Sequence, residues 1–253
     1  MAIYLFSAKP VSRKHGYGRS AVAAAAYLSG QKLYNEYDGR TYNYAQKTGI
    51  YYSEILLPAN APRRFLDRQA LWNAVEKSER RVNSRTAREI VLALPREFTF
   101  PEQKAVAIKY ILDTFVSQGM CADVAIHVSR HSYNPHLHVL LTTREVGPEG
   151  FGMKNRDWDK KEYLNLWREQ WANALNREFI LRGLDVRVAY KSYSRRDMTR
   201  EPALHLGPVL SAMERRGIKT RRGDVNRGIE ARNRERTEQE HQRQQELEYD
   251  RDR

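Results

Sequence analysis

Four of the seven histidines fall within the twelve positions from His127 to His138. In His136-Leu137-His138 the imidazoles are two residues apart, so on a β-strand both stand on one face. His127 falls near the end of the preceding β-rich run, Val124 to Ser129. A polar turn with Asn134-Pro135 joins that run to Leu137 to Thr143, which is a hairpin signal. Pairing the two runs brings His127 alongside the other two histidines. Three imidazoles from adjacent strands make half of a coordination sphere, with positions open for water or substrate. Neutral imidazoles suit zinc or another transition ion better than magnesium. His131 sits in the turn, with no strand geometry to aim it. The competing reading is three structural histidines, each satisfied by hydrogen bonds.

The elements that must position this cluster are legible by period and punctuation. Ile3 to Phe6 reads as a strand and Ser7 to Gly18 as a polar, glycine-bearing loop. Ser20 is an N-cap for an alanine-rich helix, Ala21 to Ser29, which Gly30 ends. Tyr34 to Thr48 is an irregular or hairpin segment, and Tyr51 to Leu57 a strand stopped by Pro58. Apolar residues at helical spacing place helices over Pro62 to Val82, Pro101 to Gly119 and Glu162 to Arg182. The last carries Trp167, Trp171, Leu175 and Phe179. Glu89 to Leu94 is a strand headed by Glu89, and Asp185 to Tyr190 alternates as a final one. This order implies an α+β fold: a two-layer sandwich with a largely antiparallel central sheet and helices packed on it. Beyond residue 191 the pattern changes. Arg215 to Arg222 is a basic, glycine-punctuated loop. From Val225 aliphatic residues almost vanish, which implies an exposed helix or a disordered tail.

Composition narrows the class of partner. The 253 residues hold 44 Lys+Arg against 31 Asp+Glu, a net charge of +13. Residues 191–253 account for a surplus of +4 and the first 190 for +9, so most of the excess sits on the folded part. Such a surface favours a polyanion, because neutralising phosphates releases counterions. No stretch approaches the ~20 apolar residues of a membrane-spanning helix, so no membrane insertion is expected. Cys121 is the lone cysteine, which excludes a disulfide framework and a cysteine zinc site. The expected setting is a reducing, cytoplasmic one.

The segment His127 to Arg144 (HVSRHSYNPHLHVLLTTR) resembles the metal motif of MobA/MobL-type plasmid relaxases, the MOBQ group within the HUH endonucleases. Ser20 to Tyr27 (SAVAAAAY) resembles that family's nucleophile helix. Tyr52 to Pro58, Arg88 to Pro95, Trp167 to Trp171 and His205 to Gly217 (HLGPVLSAMERRG) are similar to its further motifs, in the same order. The resemblance covers about residues 1–220. It implies a relaxase domain over residues 1–190, with 191–224 as a basic extension and 225–253 as a charged tail.

What the resemblance implies is a conjugative relaxase that nicks one strand at a plasmid origin of transfer. Tyr27 would attack the scissile phosphate and leave a 5′-phosphotyrosyl intermediate, so the strand can be rejoined later. A phenol needs a base or nearby cation to attack, and a metal would relieve charge on the phosphate. By resemblance that metal is a divalent ion, Mg or Mn, while the imidazoles also admit Zn. Glu89 would either orient an imidazole or take the phenol proton, with Glu54 a weaker candidate of the same kind. Arg144 follows the histidine strand and is a candidate phosphate contact. Tyr34, Tyr37, Tyr42 and Tyr44 either stack unpaired bases, beside Lys32, Arg40 and Lys47, or pack on the sheet. The implied partners are origin DNA (a single strand next to a hairpin), accessory mobilisation proteins and a type IV secretion coupling protein.

Three other readings compete. A rolling-circle replication initiator or one-tyrosine transposase shares the chemistry but carries its tyrosine after the histidine motif, whereas here Tyr27 precedes it. A non-catalytic DNA-binding protein would need neither metal nor tyrosine. A zinc hydrolase using metal-bound water would leave no protein–DNA adduct.

Overall fold

The computed structural model describes residues 4–13, 20–128, 134–191, 200–204 and 206–251. Five strands pair antiparallel in one sheet: β1 (Phe6–Ser12), β4 (Ile50–Leu56), β5 (Arg85–Ala93), β6 (Ala122–His127) and β7 (His136–Thr142). Their spatial order is β1-β5-β7-β6-β4. Between them come the short hairpin β2 (Lys32–Asn35) and β3 (Arg40–Asn43), and after them the hairpin β8 (Arg144–Gly147) and β9 (Gly150–Lys154). The helices are α1 (Ala21–Ser29), α2 (Arg68–Ser78), α3 (Phe100–Thr114), α4 (Lys161–Leu181), α5 (Gly207–Arg215) and α6 (Arg221–Arg251). The chain divides into two compact units, residues 1–190 and 191–253.

The period-2 alternation of the central strands splits the first unit's core in two. Ile90, Leu92, Val124, Ile126, Leu137, Val139 and Leu141 face α3 and α4, where Tyr110, Trp167, Trp171 and Phe179 are buried. Tyr110 and Trp171 meet at 5.0 Å between ring centroids, and Phe115 and Trp167 at 5.1 Å, the offset geometry aromatic pairs prefer. The opposite face presents small residues, Ala87 and Ala125, with Leu140, to α1 and α2. Small residues on both partners let α1 seat close to the sheet. The expected α+β class and antiparallel sheet are therefore present, with helices on both faces of that sheet.

Several elements differ from their sequence signals. Among the described residues the first strand is Phe6–Ser12, with Tyr4 and Leu5 outside it and Ile3 outside the described residues, and it takes in Ser7 to Ser12 of a run whose Ser, Lys and Pro read as loop. Pro10 is tolerated because β1 is an edge strand. The second helix begins only at Arg68, since Asp67 accepts from the Ala70 amide and caps it there, after a 3-10 turn at Arg63–Leu66. β5 starts at Arg85, which puts Glu89 in mid-strand instead of at its head. The β8–β9 hairpin had no apolar alternation to announce it. Asp185 to Tyr190 is not a strand. Its Val188 amide and carbonyl instead bond the Asn176 side chain on α4, and Val188 packs into the core.

The second unit has its own order. α5 ends at Arg215 and α6 begins at Arg221, so the expected basic loop is a short turn between helices. Glu201 receives the guanidinium groups of Arg232 and Arg236 from α6. The region from Val225 is helical in the structure to Arg251.

Candidate active site

The hairpin register places His127 directly opposite His136 and Ala125 opposite His138. All three imidazoles therefore stand on the α1 face of the sheet. Ring centroids are 4.5 Å apart for His127 and His138, 5.0 Å for His136 and His138, and 5.6 Å for His127 and His136. One ring nitrogen from each can be chosen so that the three lie within 4.8 Å of one another.

The outer hydrogen bonds fix the tautomers, because a carbonyl or carboxylate oxygen can only accept. His127 Nε2–H donates to the Leu28 carbonyl at 2.8 Å, leaving Nδ1 with a free lone pair. His136 Nδ1–H donates to the Asn134 carbonyl at 2.8 Å, and His138 Nδ1–H to Glu89 Oε1 at 3.1 Å, leaving Nε2 free on both. Burial pushes the His127 imidazolium down to about 3, with His138 nearby adding to the effect, and burial lowers His136 too. Neutral rings with oriented lone pairs are what a metal requires, and second-sphere acceptors of this kind set ring orientation. The donor set fits a divalent cation.

Glu89 occupies the same face, two strands over from His127, and its hydrogen bond from His138 holds its carboxyl below the usual range. Lys9, its register partner on β1, adds a positive charge. Of the two roles the sequence left open, this hydrogen bond is the contact that the orienting one needs. Glu54 alternates onto the other face of the sheet, where it accepts from the Tyr52 hydroxyl, and it takes no part in the cluster. Arg144 is bound to Glu79 Oε1 at 3.0 Å and to the Gly152 carbonyl at 3.0 Å, so it ties β8 to the end of α2 instead of reaching the histidines. Lys32 and Arg40 are exposed on the β2–β3 hairpin, with Tyr34 and Tyr37 half-exposed. The Tyr42 hydroxyl donates to Asp38 Oδ2 at 2.6 Å, and burial together with Asp38 raises its pKa. His131 lies outside the described residues.

Tyr27 sits in the last turn of α1, 49% exposed. The position of that helix is set from both ends. At the start, Ser20 accepts from the Ala23 amide and Glu76 of α2 accepts from the Ala21 amide at 2.6 Å. Glu76 is 1% exposed and paired at 2.7 Å with Arg13, itself 5% exposed. A carboxylate at a helix N-terminus meets the positive end of its dipole. At the other end the unpaired carbonyls take distant donors: Tyr27 O from Lys47 Nζ at 2.7 Å, and Leu28 O from His127. Gly30 then leaves the helix with φ 68°, and a Cβ there would lie 2.6 Å from Ile50 Cδ1. One hydrogen bond thus joins the helix of Tyr27 to a ring of the histidine cluster. Neither Arg13 nor Glu76 is announced by its local sequence as a residue that positions α1. The faint signal was an α1 first turn with no acid of its own.

The model of the MobA/MobL family matches residues 19–216, which takes in α1, the central strands from β4 to β7 and α5. The chain belongs to the MobA/MobL family. Among its relatives, the mobilization protein MobL of Acidithiobacillus ferridurans is 33% identical over 88% of this chain and 66% of its own length. The conjugal transfer protein TraA of Rhizobium radiobacter is 33% identical over 85% of this chain, which spans only 22% of that larger protein. A solved structure described as "Molecular Basis of Vancomycin Resistance Transfer in Staphylococcus aureus" superposes with a TM-score of 0.68 at 38% identity, covering 76% of this chain and all of that one. This chain is therefore similar to one portion of longer transfer proteins, and four of the five strands of its central sheet, β4 to β7, lie inside the family match.

Proposed function

We propose that this MobA/MobL chain is the relaxase portion of a conjugative mobilisation protein, cutting and rejoining one DNA strand at an origin of transfer. The observation that carries it is the convergence of three imidazoles on a shared point beside the helix of Tyr27. The names of its relatives, mobilization and conjugal transfer proteins, agree with that role.

In this reading Tyr27 Oη forms a bond to the scissile phosphorus and loses its proton to a base, Glu89 or water. The phosphorus–O3′ bond breaks, and the 3′ oxygen leaves with the electron pair and takes up a proton. The 5′ phosphate remains on Tyr27, and attack by a 3′ hydroxyl reverses each change. His127, His136 and His138 would hold a divalent ion (Mg or Mn by family, Zn by ligand type), which supplies charge neutralisation at the non-bridging phosphate oxygens. Glu89 keeps His138 in its ligating tautomer. The hydrogen bond from His127 to the Leu28 carbonyl ties the helix of Tyr27 to a ring that would hold the cation. The exposed cations Lys32 and Arg40, and the ring of Tyr42, form the hairpin surface offered to the strand. Accessory mobilisation proteins and a type IV secretion coupling protein complete the cytoplasmic assembly. Among the described residues, no helix is long and apolar enough to cross a membrane.

Supercoiled plasmid carrying the cognate origin tests the proposal, with and without divalent metal. The expected result is metal-dependent nicking with protein retained on one strand end after denaturation. Nicking without retained protein would replace the proposal with a metal-bound water mechanism. Binding without nicking in any metal would leave a DNA-binding protein.

A further inference from the structure

Half-exposed as it is, the Tyr27 ring is held on two sides by one short segment between β3 and β4. Tyr44 meets it edge-on, with centroids 5.2 Å apart and planes at 89°. Lys47 Nζ stands 3.5 Å from the ring centroid while donating to the Tyr27 carbonyl. The segment is itself anchored. The Tyr44 amide donates to Gln31 O at 3.2 Å, the Lys47 amide to Tyr44 O at 2.8 Å, and the Val128 amide to Gly49 O at 2.9 Å. Gly49 has φ 85°, and a Cβ on it would lie 2.8 Å from Val128 O, so only glycine permits this approach beside His127.

An ammonium here is more than a helix cap. A cap needs only a donor at the Tyr27 carbonyl, and any neutral amide of the right length would serve. Nζ instead lies over the ring face, where a cation attracts the π electrons and stabilises negative charge that spreads into the ring when the hydroxyl loses its proton. Its neighbours are charged or titratable on every side: Tyr27 on α1, Glu89 on β5, His127 on β6 and His136 on β7. Burial lowers the Lys47 ammonium to about 8, with Glu89 opposing the shift, which leaves it mainly charged at neutral pH.

We propose that Lys47 is a positioning residue for strand transfer, fixing the aim of the Tyr27 ring and keeping a positive charge beside it as the phenol gives up its proton. This rests on Tyr27 being the nucleophile. As the hydroxyl proton leaves, negative charge spreads from the oxygen into the ring, and a cation fixed over that ring stabilises it without reorganising. The same assistance must act on rejoining, because the reverse step regenerates the phenolate.

The test is single-turnover cleavage and rejoining of a labelled strand spanning the site that the wild-type chain nicks, at saturating protein and metal. Lys47→Gln keeps a donor for the Tyr27 carbonyl and removes the charge. It is expected to slow both directions on the order of 30-fold, with strand Kd changed less than about 3-fold and the melting curve unmoved. Lys47→Arg keeps the cation and is expected to recover most of the rate. Wild-type rates in Lys47→Gln, or an arginine variant as slow as the glutamine one, would overturn the inference. A loss of rate that merely follows loss of folded protein would also overturn it, leaving a cap. Tyr27→Phe runs in parallel. A covalent adduct persisting in that variant would instead overturn the nucleophile reading on which the inference rests.

Discussion

Three imidazoles act as ligands only if each offers a lone pair, and here the groups behind the rings decide that. Glu89 holds His138, while the Leu28 and Asn134 carbonyls hold His127 and His136. Replacing Glu89 by Ala frees the His138 ring to turn and to change tautomer. Isothermal titration with Mn²⁺ should then show affinity reduced ~10–100-fold. An unchanged affinity would mean that Glu89 does not orient the ligand. The double variant His136→Ala, His138→Ala removes two of three ligands. It should show no heat of metal binding and no metal-dependent nicking, whereas binding at wild-type strength would place the metal elsewhere. The ligand types and their shared face were readable from His136-Leu137-His138 and the hairpin signal. Their tautomers were not, because two of the three acceptors are backbone carbonyls, which a residue's identity does not reveal. The ion pair of Arg144 was hidden for a related reason, since its partner Glu79 lies 65 positions earlier in the chain.

Helix α1 brings chemistry to the sheet because everything between them is small. Ala21, Val22, Ala25 and Ala26 pack over Ala87, Ala125 and Leu140. Ala125 lies directly opposite His138 in register. Ala125→Leu should overpack this seam at a cost of ~1–3 kcal/mol. The melting temperature should fall by several degrees, and nicking should fall further than the folded fraction does, because the helix is lifted from the histidines. Nicking that tracks the folded fraction would show that this seam does not set the active geometry. The buried Glu76 anchors the other end of α1. Glu76→Ala strands the Arg13 charge and one helix amide, which should cost ~3–5 kcal/mol in urea unfolding. A loss below about 1 kcal/mol would contradict the clamp. The caps of α1, the strands of the hairpin and the aromatic stripe of α4 could be read from local pattern, since capping residues and periodicity act over a few positions. β1 and the 185–190 segment could not, because pairing partners and edge position decide them, and these are set by distant parts of the chain.

At the scale of the molecule, charge and architecture point the same way. The first 190 residues carry a surplus of +9 while folding around one antiparallel sheet whose α1 face bears the site. Strand binding should therefore be strongly salt-dependent. If on the order of five phosphates are neutralised, a slope near −0.7 per phosphate predicts a loss of roughly 10²-fold between 50 and 200 mM salt. An affinity flat over that range would show that the basic surface does not meet the phosphates. The second unit, with its long charged helix α6, carries its own ion pairs around Glu201. Its sequence announced the charge and left helix and disorder open, because a helix polar all round shows no amphipathic period.

The central claim is that Tyr27 becomes joined to DNA, and one measurement addresses it directly. Wild-type protein and Tyr27→Phe are each incubated with metal and the labelled origin strand, denatured, digested and mapped by mass spectrometry. Removing one oxygen leaves the ring and its contacts with Tyr44 and Lys47 in place, so fold and metal affinity should match wild type. A phosphonucleotide is expected on the peptide containing Tyr27, with no adduct in the variant and cleavage reduced by several orders of magnitude. Cleavage at wild-type rate by Tyr27→Phe, or an adduct on any other residue, would contradict it.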